Sequence, residues 1–287
     1  MSLKVALTSN NLIEAVKCSV APSALEDDTR PPTNLYSVES PHKAAILSVV
    51  KIIPTVETYH VVFVHDGYLP HWEGQAFGVM LAPENPSDKP DQEMLRYFFA
   101  ASSRYGDYFN GRTASLCVSP IPGTTSEILC KSKRGDKILL TGPTGEEMLL
   151  GDYKANKTHI FVATTGAGIA PFKAHLRRFF KEDIPTFKFS GLAWLLDDSG
   201  LYKDEFEQYR RDCPENFLYQ MTTLTSNQAR DMLQLLIGGA YICFAGGTDK
   251  IATIEKALEQ AANVIEEDWA KILAKLKIDE QWRVQVY

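Results

Sequence analysis

No stretch of this chain reaches the roughly 18 consecutive apolar residues of a bilayer-spanning helix, so no transmembrane segment is expected. Cysteine is scarce: Cys18, Cys117, Cys130, Cys213 and Cys243 make an odd total of 5 and include no CxxC pair. That excludes a zinc ribbon or a disulfide framework and favours reduced thiols in a reducing compartment. A basic excess is missing too. The formal net charge of −6 argues against general nucleic-acid affinity, which needs a cationic face to displace phosphate counterions. Residues 1–12 lack both a sustained apolar segment and a small-residue cleavage site, so no secretory signal is expected there. No internal repeat is visible. What remains is a chain of 287 residues, 45% hydrophobic and 23% charged, long enough for two domains with separate cores.

Residues 1–40, with Pro22, Pro31, Pro32 and the acidic run Glu26-Asp27-Asp28, read as an extended arm. From 41 to 152 the texture is a series of short β-rich runs separated by turn formers: Ala44–Val50, His60–Val64, Ala76–Met80, Leu95–Ala101, Ala114–Val118 and Lys137–Thr141. Hairpin-like spacing of that kind predicts an antiparallel barrel or sandwich. From 153 to 287 strands alternate with helices. His159–Ala163 precedes a helix at Phe172–Lys181, and Phe187–Leu196 precedes one at Lys203–Arg211. Phe217–Gln220 then precedes Gln228–Leu236, and Tyr241–Ala245 precedes Lys250–Ala262. This rhythm predicts a doubly wound parallel sheet, with the domain boundary in the polar stretch 152–157.

The most informative segment is Thr158–Phe172. An apolar strand, His159–Ala163, breaks into Thr164-Thr165-Gly166-Ala167-Gly168 and continues as a helical pattern from Pro171. Pro171 suits a first helical turn, where its missing N–H has no intrahelical partner. Strand, glycine turn and helix is the geometry in which backbone N–H groups and a positive helix end meet a phosphate. A tight βα connection without any ligand fits the same residues, and glycine pairs alone do not separate the two.

Several segments occur together and in order: Trp72-Glu73-Gly74-Gln75 with Gly78-Val79, Arg96 opening an aromatic strand, Ala114-Ser115-Leu116-Cys117-Val118, and Gly135-Asp136-Lys137 with Thr141-Gly142-Pro143. Thr165–Phe172, Gly191–Leu195 and the ending Gln281-Trp282-Arg283-Val284-Gln285-Val286-Tyr287 follow. The set resembles the plant-type ferredoxin–NADP reductases from about residue 35 to 287. The resemblance implies an FAD-binding-type barrel at 41–152 and an NADP-binding-type α/β domain at 153–287. It also implies ferredoxin, or a photosynthetic electron-transfer complex, as partner. A basic patch at Lys131, Lys133 and Arg134 could meet an acidic iron–sulfur protein, and equally could be a solvated turn.

Carried over residue by residue, the family's Arg on the flavin pyrophosphate falls on Arg96, its flavin-stacking Tyr on Phe98, and its Ser near flavin N5 on Phe99. The second flavin strand is Leu116-Cys117-Val118, and Ser126 matches a Ser at a helix start, readable as an N-cap and phosphate donor or as a cap alone. The loop between them is shortened and lacks the adenine-covering aromatic. On the nucleotide side Thr165, Gly166 and Gly168 match the glycine turn, and Tyr287 matches the terminal aromatic over the flavin. The family's Cys near the nicotinamide falls on Ala245 and its proton-handling Glu on Ile251, so no catalytic residue is assigned. Cys243, two residues before Ala245, is expected to face away from it as a buried structural thiol. The Ser-Arg and Lys–Tyr groups that hold the ribose 2′-phosphate have no counterpart in Thr223–Gln228, and Arg230 is expected on the following helix. Asp197 and Asp198 are expected to repel a phosphate.

The expectation is therefore a ferredoxin–NADP reductase-like protein of the plastid, in the stroma or at the thylakoid periphery. Its catalysis is expected to be weak or lost, and its role that of a docking or structural subunit of a larger complex. The alternative is an active FAD-dependent ferredoxin–NADP(H) reductase.

Overall fold

The computed structural model describes residues 30–67, 69–83, 90–150, 156–183, 187–221 and 224–286. Residues 1–29 of the arm, 151–155 of the boundary stretch, and Tyr287 lie outside the described residues. Two units divide the chain. One takes the chain up to Leu149 together with Lys173–Arg178, and the other takes Leu150–Phe172 and Phe179–Tyr287.

In the first unit the β-rich runs become β1 (His42–Ile53), β2 (Val56–His65), β3 (Ala76–Leu81), β4 (Arg96–Phe99), β5 (Thr113–Val118) and β6 (Lys137–Thr144), with a short helix α1 (Thr125–Lys131) before β6. The sheet is antiparallel in the order β4-β3-β6-β1-β2-β5. Its first and last strands meet: Ala100, just past β4, bridges Leu116 of β5, and Ala101 N–H donates to the Ser115 carbonyl at 2.7 Å. That junction closes the sheet into a barrel, as the spacing predicts. Phe63, Phe77, Leu116 and Leu140 fill its interior, the two phenyl rings meeting edge to face at 6.0 Å.

Charge is also buried in this unit. Arg104 Nη2 donates to Glu73 Oε2 at 2.8 Å, the Arg104 backbone N–H to Glu73 Oε1 at 2.8 Å, and Arg178 stands 3.9 Å away. Burial would raise the Glu73 carboxyl, but the two guanidinium groups hold it well below the usual carboxylate range. Asp107 is held down in the same way by Lys173 at 3.7 Å and His60 at 3.4 Å. Paired charges of this kind stay in place because removing one partner strands the other.

The second unit contains β7 (His159–Ala163), α2 (Ala170–Phe180), β8 (Ala193–Asp197), α3 (Lys203–Asp212), β9 (Phe217–Gln220), α4 (Ser226–Ile237), β10 (Tyr241–Gly246), α5 (Thr248–Val264), α6 (Trp269–Ile278) and β11 (Trp282–Val286). Of α2, only the two ends belong to this unit. All strands run parallel in the order β11-β10-β7-β8-β9. Chain order reverses between β7 and β10, which makes the carboxyl ends of those strands the topological switch point. Each residue of β7 and β8 is buried, as expected for strands covered on both faces.

Three expectations are corrected. The strand read at Phe187–Leu196 is only Ala193–Asp197, because Phe187 and Phe189 stack on Phe179 (6.2 and 4.1 Å between centroids) instead of entering the ladder. Helix α6 and strand β11 were not predicted, and they add a fifth strand beside β10. Ser126 is not an N-cap: α1 starts at Thr125 behind Thr124, and the Ser126 hydroxyl instead accepts from Ile121 N–H at 2.9 Å.

Candidate functional site

The flavin-side candidates lie on the first unit. Arg96 opens β4 with its side chain exposed, and Nη1 donates to the carbonyls of Glu93 (2.9 Å) and Leu95 (2.8 Å). Thr125 Oγ1 bonds the Met94 carbonyl, which brings the start of α1 beside the start of β4. Among the described residues no carboxylate pairs with Arg96, so its outer N–H groups suit an anionic diphosphate. Phe98 sits opposite Phe77, half-buried against the barrel core. Phe99, opposite Ala76, is half-buried and offers no hydroxyl. Leu116 and Val118 point into the barrel core, while Cys117 lies on the other face of β5. The diphosphate end of an FAD fits these residues. At Phe99, where the resemblance places a donor to flavin N5, the side chain offers none.

The nucleotide-side candidates lie at the switch point of the second unit. The glycine turn is a 3₁₀ segment, Gly166–Ile169, with Thr165 at its cap and exposed. Gly168 carries no Cβ for a specific reason: one would collide with the Ala245 carbonyl oxygen at the end of β10. Gly246, at φ +129°, could not carry one either, because it would strike the Thr164 hydroxyl. Thr164 N–H donates to the Ala245 carbonyl at 3.0 Å and its hydroxyl to the Gly247 carbonyl at 3.2 Å. The two loops are thus stitched together by a backbone hydrogen bond and the Thr164 hydroxyl.

The positions onto which the resemblance carries the family's thiol and Glu are apolar here. Ala245 carries a methyl group. Ile251, one turn into α5, is 8% exposed and belongs to the apolar core with Ile254 and Leu258. Cys243 is buried as expected, but the expectation that it faces away from Ala245 is corrected. Residues two apart on a strand share a face. Ile242 and Phe244 pack into the core with Ile160 and Val162, and Cys243 and Ala245 line the opposite face.

Next to the switch point, the ends of β7 and β8 and the first turns of α5 enclose a cavity of about 70 Å³. Val162, Leu196, Leu224, Ile254 and Ala257 line it, together with Asp198 and Lys250. Asp197 is not the outward charge that the sequence suggests. Its carboxylate accepts from Ser199 N–H (2.9 Å), Ser199 Oγ (2.6 Å) and Gly200 N–H (3.0 Å), with Tyr219 hydroxyl at 3.4 Å. Burial raises its pKa against those bonds. Asp198 is the exposed acid, paired with Lys250 Nζ at 3.5 Å. Arg230 lies on α4, as expected, and donates to Asn227 at 3.3 Å.

No protein-family model matches the chain. Among curated proteins it is 40% identical to the chloroplastic root-type ferredoxin–NADP reductase of Nicotiana tabacum, covering 94% of this chain and 82% of that protein. It is 38% identical to the chloroplastic root isozyme 1 of Arabidopsis thaliana over 94% and 82%, and 34% identical to the chloroplastic enzyme of Chlamydomonas reinhardtii over 93% and 85%. Among solved structures, a ferredoxin–NADP+ reductase from Plasmodium falciparum matches 89% of this chain and 99% of that one at TM-score 0.66 and 21% identity. The same enzyme with 2′P-AMP matches 90% and 100% at TM-score 0.67 and 19% identity, which speaks to the fold. The tobacco match extends over 309 aligned positions against 287 residues here, so that relative has segments facing gaps in this chain.

Proposed function

The chain belongs to the plant-type ferredoxin–NADP reductase family, and from that premise we propose that it is a plastid electron-transfer protein with weak or lost NADP-dependent turnover, docked in a larger complex. The observation that carries this reading is Ile251. The resemblance carries the family's proton-handling Glu onto Ile251, and the Ile251 side chain packs in an apolar core, where no change of rotamer supplies a carboxylate. General acid–base groups contribute about 10²–10⁴ in rate. By the same carry-over, Ala245 stands where the family has a thiol and Phe99 where it has a hydroxyl beside the flavin.

FAD, when bound, supplies the electron-carrying ring. Arg96 would grip its diphosphate and Phe98 would lie against its ring. Cys117 would flank it from the outer face of β5, and the bulk of Phe99 would crowd its reactive edge. Ferredoxin is the partner in the relatives' names, and the exposed Lys133 and Arg134 suit an acidic iron–sulfur protein, while Lys131 is paired with Glu127 at 2.6 Å. The relatives are chloroplastic by name, which supports the plastid as location.

The second reading, an active FAD-dependent ferredoxin–NADP(H) reductase, draws on the retained Arg96 and glycine turn. The test separates the two. The purified protein is scanned for flavin absorbance and then assayed for ferredoxin-dependent oxidation of NADPH. The leading reading expects turnover below about 0.1 s⁻¹, two decades under an ordinary enzyme. Stoichiometric flavin that NADPH bleaches at an ordinary pace would overturn it.

A further inference from the structure

We propose that His42 and His65, at the open end of the β1–β2 hairpin, form a binding site for a divalent transition metal that prefers imidazole ligands. The site lies within the first unit and does not depend on the electron-transfer reading.

His42 is the first residue of β1 and His65 the last of β2. Ala44 stands opposite His65 in the ladder, and His42, two residues before Ala44, shares its face. That face is the barrel interior, because Ala44 packs with Ile46 and Phe63 in the core. Strand pairing therefore brings the two imidazoles together at one end of the barrel, with ring centroids 5.8 Å apart and planes at 66°. Imidazoles that share one metal ion, each nitrogen about 2 Å from it, have centroids roughly 5–6 Å apart. The Tyr36 ring, its centroid 4.6 Å from that of His42 and its backbone paired with Gly142, keeps that imidazole in place. His65 is buried and His42 half-buried, so an ion has a route in from the His42 side.

The ring nitrogens point to a metal. His42 Nε2 and His65 Nδ1 are both buried with no hydrogen-bond partner. Buried polar atoms are nearly always partnered, and two orphans on neighbouring rings call for a shared one. A backbone acceptor stands beside each ring, from Asp66 at His42 and from Gly67 at His65. An imidazole that gives its proton to a carbonyl turns a lone pair outward from its other nitrogen, the form in which histidine binds a metal. Burial favours the same neutral form, lowering the pKa of His42 and bringing that of His65 to about 3. Charge does not oppose a cation, since Arg112 acts on His65 and Asp66 acts on His42 with the opposite sign. Among the described residues no cluster of three or more His, Cys, Asp or Glu side chains is placed to hold a metal. His42 and His65 are then the two protein ligands, and water takes the other positions. Neutral nitrogen ligands suit Zn²⁺, Cu²⁺ or Ni²⁺, whereas Ca²⁺ and Mg²⁺ take oxygen. The bound ion would clip the start of β1 to the end of β2.

Calorimetric titration of Zn²⁺ into the EDTA-stripped, untagged full-length protein tests the site. One equivalent should bind, and the melting temperature should rise with it. Loss of an outer-shell partner costs about 10–100-fold in metal affinity, so loss of a ligand in His42→Phe or His65→Gln should cost at least about tenfold. Cys213→Ser, which removes a half-buried thiol, should leave the affinity unchanged. His42→Phe keeps a ring against Tyr36, which favours a folded variant. A readout that needs no variant is the paramagnetic resonance spectrum of Cu²⁺ bound at the same stoichiometry, which should show coupling to two imidazole nitrogens. Absence of Zn²⁺ binding, binding that survives His42→Phe at full strength, or a Cu²⁺ spectrum without nitrogen coupling would each overturn the proposal and leave the two nitrogens to a bridging water.

Discussion

Gly168→Ala would drive a methyl group into the Ala245 carbonyl, a backbone atom that cannot swing aside. Forced overpacking costs about 1–3 kcal/mol, so the substitution should lower the melting temperature, while Ala167→Gly next door should change it far less. Glu73→Gln would take the charge from between Arg104 and Arg178, and about 3–5 kcal/mol of stability should go with it in a denaturant titration. Phe99→Ser tests crowding at the flavin edge. Flavin content read from the visible spectrum should rise, and an unchanged spectrum would count against crowding. At this scale the sequence was partly legible. Arg96, Ala245 and Ile251 stand where the motif spacing puts them on strand and helix. The inward turn of Asp197 was not readable, because Ser199, Gly200 and Tyr219 converge on it only once β8 and β9 pair. The motif Trp72-Glu73-Gly74-Gln75 turned out to be folding chemistry: Arg104 lies 4.7 Å over the Trp72 ring, and Gln75 Nε2 donates to the Pro32 carbonyl at 2.6 Å.

Among elements, helices with strong local signals were legible to within a few residues. Helix α4 carries a complete capping box, with Thr225 accepting from Gln228 N–H and Gln228 Oε1 accepting from Thr225 N–H at 2.8 Å. Thr225→Ala should therefore cost about 1 kcal/mol, visible as a shifted unfolding midpoint with unchanged slope. Helix α6 had a readable signature, with Asp268 as cap and Trp269, Ile272, Leu273 and Leu276 on one face. Strand β11 buries Trp282 and then alternates exposed Val284 and Val286 with half-buried Arg283 and Gln285. The false extension of β8 back to Phe187 had a physical cause: an apolar run does not say whether its aromatics pair in a sheet or stack under a helix.

Across the whole molecule, acid is the expected weakness. Burial holds His65 down at about 3 and His175 at about 4, against an ordinary value near 6.5. Because the folded values are depressed, the unfolded chain binds more protons below pH 6.5. Stability is then full above that pH and is lost as pH falls towards 4. Each histidine contributes a slope of up to about 1.4 kcal/mol per pH unit. Glu73 and Asp107, also depressed, extend the loss further down. A melting temperature that is level above pH 7 and declines from 6.5 to 4.5 is expected, and a level profile down to pH 5 would mean that these imidazoles are not buried in the neutral form.

The assignment of Lys173–Arg178 to the barrel unit has a practical corollary for anyone cutting the gene. A fragment ending at Leu149 would be expressed without Lys173 beside Asp107 and Arg178 beside Glu73, leaving those buried acids with Arg104 and His60 alone, and it should be recovered as an insoluble product. The order of the polypeptide and the order of its folding modules do not coincide here. A soluble half-molecule would call for a permuted or spliced chain, not a stop codon.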